Sequence, residues 1–191
     1  MKLTMPLFIL KFFIPLSLCL GQGHVNFANI PSLFVNDPAT DRFVSCNEGG
    51  RLVGTNWGAQ LWYGMADGSG NALALTADPI AHFRPPGTLS PGTWIGGDRA
   101  MPGTAPGEIL TFEVRIWDLN SGPDWLSSTG PRAASGTFNY TVPAANAPAD
   151  AFVMYGFKGF AFTCVVPEPT TPALFALAGV LGWFYYRRKR K

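Results

Sequence analysis

The stretch from Ile109 to Trp117 constrains the chain most, because Leu110, Phe112, Val114 and Ile116 alternate strictly with Thr111, Glu113, Arg115 and Trp117. A period of two places one set of side chains in a core and the other toward water, the pattern of a half-buried strand. Pro102-Gly103 and Pro106-Gly107 precede it, and Asn120-Ser121-Gly122-Pro123 follows it. Such residues preset or permit the backbone angles of turns. Thr137 to Val142 repeats the pattern with Phe138, Tyr140 and Val142, and Gly159 to Val165 repeats it with Phe160, Phe162 and Cys164. Shorter segments of the same kind are His24 to Ala28, Arg42 to Cys46, Ala59 to Tyr63, Ala72 to Thr76, Ile80 to Arg84 and Ala151 to Phe157.

The middle of the chain has no helix-period run of useful length. Its roughly nine short strands therefore predict an all-β domain over residues 24–165, built as a two-sheet β-sandwich. An immunoglobulin- or fibronectin-like arrangement is the first expectation and a jelly roll the second. The size suits one domain with a single core.

The two ends differ from this middle. Lys2 and Lys11 precede an apolar run from Phe12 to Leu20, and both Cys19-Leu20-Gly21 and Gly21-Gln22-Gly23 offer the small residues that a signal peptidase reads. Residues 1–23 thus read as a signal peptide, cut after Gly21 or Gly23 to leave a start near Gln22 or His24. Leu18 is too large to precede a lipidated Cys19.

At the other end Val166-Pro167-Glu168-Pro169 leads into an apolar run from Ala173 to Tyr186 and then Arg187-Arg188-Lys189-Arg190-Lys191. Thr171 and Pro172 suit an N-cap and first helical position, so a single transmembrane helix is expected over about 172–186. Ala173 to Tyr186 would rise roughly 21 Å against a hydrocarbon core of ~30 Å, short for a permanent anchor. Trp183, Tyr185 and Tyr186 suit the headgroup level, and the terminal cations resist transfer and stay cytoplasmic.

This tail resembles the PEP-CTERM sorting signal of Gram-negative envelope proteins, in which a Val-Pro-Glu-Pro motif precedes a short transmembrane helix and an Arg-rich cluster. Pro167, Glu168 and Pro169 match the motif, while Pro169-Thr170-Thr171 departs from the usual Pro-Ser-Thr. The resemblance implies recognition and cleavage of residues 166–191 by an exosortase, a membrane-embedded cysteine-dependent enzyme, with release or attachment of the body at the cell surface. The alternative is a single-span anchor that is never cut. Gly21 to Phe27, Gly58 to Gly64 and Phe112 to Asp118 are more loosely similar to small PEP-CTERM proteins, a likeness that bears on fold and not on activity.

With both ends set aside, residues 24–167 carry seven cations against eleven carboxylates, a net −4, although the whole chain is formally +2. A mildly acidic body with Lys158 as its one lysine offers no phosphate-binding stripe, which excludes nucleic acid as a partner. Anionic lipid attracts nothing beyond the tail. Cys46 and Cys164 are the two cysteines of the exported body. An oxidising compartment permits a bridge between them, worth about 4.7 kcal/mol for a loop of ~100 residues in the chain-entropy treatment. Two separate buried thiols are the alternative.

The candidate chemistry is sparse. His24 and His82 have no metal-ligand spacing to other histidines or cysteines, no serine-hydrolase elbow or zinc-protease motif occurs, and no cofactor is expected. Asp118, Asn120 and Asp124 space oxygen ligands as a calcium loop does, with Gly122 between them, but no bidentate glutamate follows. The plainer alternative is a turn whose side chains cap their own backbone. Asp67, Ser69 and Asn71 repeat the spacing more weakly. Among Trp57, Trp62, Trp94, Trp117 and Trp125, Trp117 shares the Glu113 and Arg115 face and is the expected exposed ring for stacking on a sugar, against the alternative that these rings fill the core.

The expectation is an exported, non-catalytic structural or adhesive protein of the cell surface or extracellular matrix. It would cross the inner membrane, be held there by its helix before processing, and have exopolysaccharide as an expected contact. A small secreted glycan-acting hydrolase or a glycan-binding module is the alternative.

Overall fold

The computed structural model describes residues 22–66 and 76–164. The expectations for residues 1–21, for the helix over 172–186 with its flanking motif and basic tail, and for the turn at Asp67, Ser69 and Asn71 lie outside these residues. The described chain is all-β. Its strands are β1 (Gly23–Ala28), β2 (Ser45–Cys46), β3 (Trp57–Met65), β4 (Thr76–Ala77), β5 (Ala81–His82), β6 (Ile95–Met101), β7 (Ile109–Asp118), β8 (Arg132–Thr141) and β9 (Ala161–Phe162).

The alternating stretch becomes β7, which lies between β3 and β8 in an antiparallel sheet of order β4-β3-β7-β8. β5 also pairs with β3, next to Gly58 and Ala59, while β4 pairs with its other end at Trp62 and Tyr63. Leu110, Phe112, Val114 and Ile116 are fully buried, as the period of two demands. Phe112 stacks on Tyr140 of β8 at 4.6 Å between ring centres. The β7–β8 register shifts between Glu113 and Arg115. There the Val114 N–H donates to Ser135 Oγ at 3.0 Å, and Gly136 adopts φ +73°. A side chain thus satisfies the donor that the bulge removes from the ladder.

A second antiparallel pair, β1 with β6, contributes Val25, Phe27 and Met101 to the same core. β6 is not evident from sequence, since Ile95-Gly96-Gly97-Asp98-Arg99-Ala100-Met101 has little hydrophobic alternation. Its glycine serves packing: a Cβ on Gly96 would lie 2.6 Å from Phe27 Cδ1 and 2.7 Å from the Phe27 carbonyl. The Tyr140 hydroxyl donates to the His24 carbonyl at 2.7 Å and ties the two sheets together. The immunoglobulin-like and jelly-roll expectations both call for two many-stranded sheets, whereas this second layer has two strands among the described residues.

Several expected strands are reduced because their backbone groups bond to loops and turns, as the Val44 N–H does to the Gly92 carbonyl and the Gly159 N–H to the Asp41 carbonyl. Arg42 to Cys46 shortens to β2, and Gly159 to Val165 shortens to β9, which pairs with β2 in parallel. Cys46 and Cys164, 118 positions apart in sequence, are joined by a disulfide with Cα atoms 5.3 Å apart. Ala151 to Phe157 is not a strand. It opens with a 3-10 turn, Ala149–Phe152, after Pro148, and then buries Val153, Met154 and Phe157 as irregular chain closed by local bonds such as Phe157 N–H to the Met154 carbonyl.

Asn29 and Arg42 hold the segments that have no strands. Asn29 is fully buried, donating to the Arg42 carbonyl at 2.7 Å and the Gly92 carbonyl at 3.0 Å and accepting from the Trp94 N–H at 2.8 Å. Trp94, also fully buried, meets Phe27, Phe83 and Phe157 at ring-centre distances of 5.3, 5.4 and 5.5 Å. The buried Arg42 guanidinium pairs with Asp37 Oδ2 at 2.7 Å, donates to the carbonyls of Asp37, Thr40 and Tyr155, and lies 4.0 Å over the Phe34 ring.

These contacts set two expectations for stability. Asn29→Ala leaves the Arg42 carbonyl and the Trp94 N–H without these partners, while the Gly92 carbonyl keeps the Val44 N–H at 3.0 Å, and urea denaturation should show a loss of roughly 2–4 kcal/mol. Hydrogen bonds from Thr40 and Arg42 lower the pKa of Asp37 below its usual value. The stability this carboxylate contributes is present above the ordinary aspartate range and is lost as pH falls through its depressed pKa. Melting curves of Asp37→Asn and the parent should therefore differ at neutral pH and converge in acid.

Candidate functional site

The face of the main sheet turned away from the core carries the densest cluster of aromatic and charged side chains. Period-two geometry puts Gln60 and Trp62 of β3 beside Glu113 and Arg115 of β7, with Trp62 directly across from Glu113 and Gln60 across from Arg115. The Arg115 guanidinium lies 4.0 Å from the Trp62 ring centre and 4.5 Å from that of Trp125, and Arg132 of β8 lies 4.8 Å from Trp125. Glu113 accepts a hydrogen bond from Arg115 Nε. Trp62 Nε1 donates to Gln60 Oε1 at 3.0 Å, and Gln60 Nε2 donates to the Asp78 carbonyl at 2.7 Å, which fixes the ring.

Trp125 reaches this face from the loop between β7 and β8, whose shape follows from its turn residues. Asp118 Oδ1 accepts from the Asn120 N–H at 3.0 Å, Asp124 Oδ1 accepts from the Ser127 N–H at 2.8 Å, and the Ser121 and Ser128 hydroxyls bond at 2.6 Å. Gly122 permits the fold-back, since a Cβ there would lie 2.7 Å from Ser128 Cα. Arg132 Nη1 then donates to the carbonyls of Trp125 and Leu126 at 2.7 and 3.1 Å. Because Arg132 bonds carbonyls and Arg115 has Glu113, the platform keeps one uncompensated cation among the described residues. Guanidinium-on-indole contacts are each worth about 0.5–2 kcal/mol, more as they lose water. The Arg115 and Glu113 side chains are only 15% and 16% exposed, so these contacts sit toward the dry end.

The same loop corrects the expectation for Trp117. That ring lies on the Glu113 and Arg115 face as alternation requires, yet it is fully buried, because the loop covers this end of β7 and takes its indole N–H onto the Gly122 carbonyl at 3.1 Å. Trp57 and Trp94 are buried as well, leaving Trp62 and Trp125 as the half-buried tryptophans among the described residues. Asp118 and Asp124 spend a carboxylate oxygen each on capping separate turns, and the backbone bonds draw the Asp124 pKa down. This is the capped-turn alternative for the calcium spacing. Among the described residues no three His, Cys, Asp or Glu side chains gather as a metal set.

Elsewhere, His24 Nδ1 lies 3.1 Å from Asp98 Oδ2 on the wall of an open cleft of about 700 Å³ floored by alanines and Phe152. His82 Nδ1 donates to the Thr55 carbonyl. The structure does not bring the two histidines into one site. Sequence reasoning selects the wrong ring because it sees faces and not covers. The signal that could have found the platform is Trp62 at an outward position of the Ala59 to Tyr63 stretch; Trp125, in a loop, carries none.

Cys164 has its N–H on Glu48 Oε2 at 3.0 Å and carries the disulfide to Cys46. A family profile described as the PEP-CTERM protein-sorting motif matches residues 165–191. The chain is therefore of the exported class that an exosortase, a membrane enzyme, processes for the cell surface. It is a PEP-CTERM sorting domain-containing protein. No curated protein and no solved structure matches it. Among the described residues no helix is long and apolar enough to cross a membrane.

Trp117→Ala should behave as a core truncation and not as a surface change. Chemical denaturation is expected to report a loss of about 3–5 kcal/mol.

Proposed function

We propose that this protein is a non-catalytic structural or adhesive component of the cell surface or extracellular matrix, an all-β body delivered by its sorting tail. The observation that carries this reading is the use made of the acidic side chains. Each described carboxylate is engaged in holding the fold. Asp37, Asp78, Asp98 and Glu113 face Arg42, Arg99, His24 and Arg115. Asp41, Glu48, Glu108, Asp118 and Asp124 accept from backbone N–H groups, and Asp150 accepts from Asn36. A glycan-acting hydrolase needs two carboxylates flanking a substrate, with the acid's pKa raised. Asp78 is raised by burial, partly offset by Arg99, and among the described residues that arginine is the charged group it faces.

The adhesive contact is assigned to the Trp62, Arg115, Trp125 and Arg132 platform, with exopolysaccharide as the partner. Indole rings offer apolar faces to sugar rings, and Arg132 adds a donor and a positive charge for acidic sugars. The body should be retained on columns of exopolysaccharide carrying uronic acids. Trp62→Ala and Trp125→Ala should each reduce retention several-fold while keeping the far-ultraviolet dichroism of the parent. Equal retention of parent and variants, or no retention of the parent, rules out the platform as the contact.

A further inference from the structure

The structure assigns the signal-peptide cut to the Gly21–Gln22 bond and so makes Gln22 the first residue of the mature chain, where we propose it closes to a pyroglutamate. This inference rests on the export reading above. Two bonds compete in the sequence, because both Gly21 and Gly23 are small enough to be read by a signal peptidase and each has a small residue two positions before it. Gly23 therefore has two explanations: a residue discarded with the leader, or a residue of the folded body.

The geometry decides for the second. Gly23 is buried as the first residue of β1 and pairs with Met101 of β6. Its N–H donates to Thr104 Oγ1 at 3.1 Å, and Thr104 is itself buried and donates onward to the Met101 carbonyl at 2.8 Å. No side chain fits at this position: a Cβ would collide with Thr104 Oγ1 and lie 2.7 Å from Val142 Cγ1. Glycine is required here by the space between β1, β6 and the end of β8, a demand that a discarded residue would not face. Cutting after Gly23 would remove one strand pair and orphan the buried Thr104 acceptor. It would also start the chain with an ammonium group at the edge of that apolar contact, where desolvation of a charge is costly. Cutting after Gly21 leaves all of β1 and the Thr104 bond in place, and Gln22 is exposed and outside the strand.

An N-terminal glutamine with an unrestrained side chain has an intramolecular reaction open to it. The α-amine nitrogen attacks the side-chain Cδ, a C–N bond forms to close a five-membered lactam, and the C–NH₂ bond breaks with the amide nitrogen leaving as ammonia. No oxidant or second substrate is needed. Among the described residues no hydrogen bond ties the Gln22 side chain, and it lies on the rim of the His24 and Asp98 cleft, open to solvent. The lactam removes a positive charge from that rim and blocks aminopeptidases.

The test is the intact mass and N-terminal peptide of the full chain exported from a Gram-negative host. The expected product begins at position 22, is lighter than the free-glutamine form by one ammonia, and yields to Edman sequencing only after pyroglutamyl aminopeptidase. A product beginning at His24 overturns the assignment, and one beginning at Gln22 with a persistent free amine overturns the cyclisation. A product retaining residues 1–21 instead defeats the export reading, a distinct result. Gly23→Ala gives an independent check, since alanine is as acceptable as glycine to a signal peptidase. The exported variant should keep the substituted position in its mature chain and melt several degrees lower than the parent. An unchanged melting temperature, with the introduced alanine missing from the mature chain, overturns the proposal.

Discussion

Asn29 is the interaction on which the rest of the fold depends. One amide side chain gathers the end of β1, the segment before β2 and the segment before β6, by donating to the carbonyls of Arg42 and Gly92 and accepting from the N–H of Trp94. The β1–β6 ladder ends at Ala28 and Ile95, and the Val44 N–H reaches the Gly92 carbonyl at 3.0 Å, so the side chain continues past the ladder what the backbone begins. Fixing the Trp94 backbone seats its ring among Phe27, Phe83 and Phe157, and these in turn join the β1–β6 pair to the sheet around β7. A buried polar group is tolerable here because its oxygen and both amide hydrogens are used.

The same economy recurs where the backbone leaves regular geometry. Ser135 replaces a ladder partner at the β7–β8 bulge, Thr104 receives the first N–H of β1, and Arg42 satisfies three carbonyls around a loop. The acidic side chains belong to this system. Their engagement at separate places fits a mildly acidic body that shows no gathering of carboxylates among the described residues.

The long strands are legible in the sequence because each buries alternate residues against one core: β7, the Phe138 to Thr141 end of β8, and the middle of β3. β6 is not, since its identity rests on Gly96, which makes room for Phe27, and on charges that pair across its edge, and neither produces a hydrophobic period. Ala151 to Phe157 misleads for the opposite reason. Its apolar residues do enter the core, but Pro148 and local turns carry the backbone there without a ladder. The platform is half legible: Trp62 stands at an outward position, but its partnership with Arg115 and Trp125 depends on strand register and on a folded-back loop. Trp117 shows the limit of face assignment, because alternation states which way a ring points and not what lies above it. The tail, by contrast, is legible in full as a motif, since its meaning resides in local chemistry that an enzyme reads along the chain.

The position of the disulfide has a mechanical consequence. Cys164 immediately precedes the sorting segment, so any tension applied through that segment enters the body at the sulfur bridge and passes to Cys46. The two-residue pairing of β9 with β2 would unzip under a small load, but traction bypasses it through a covalent link and spreads into the chain that leads back to Arg42 and Asn29. A body fastened to a surface by this end carries shear without its last strand acting as the weak point.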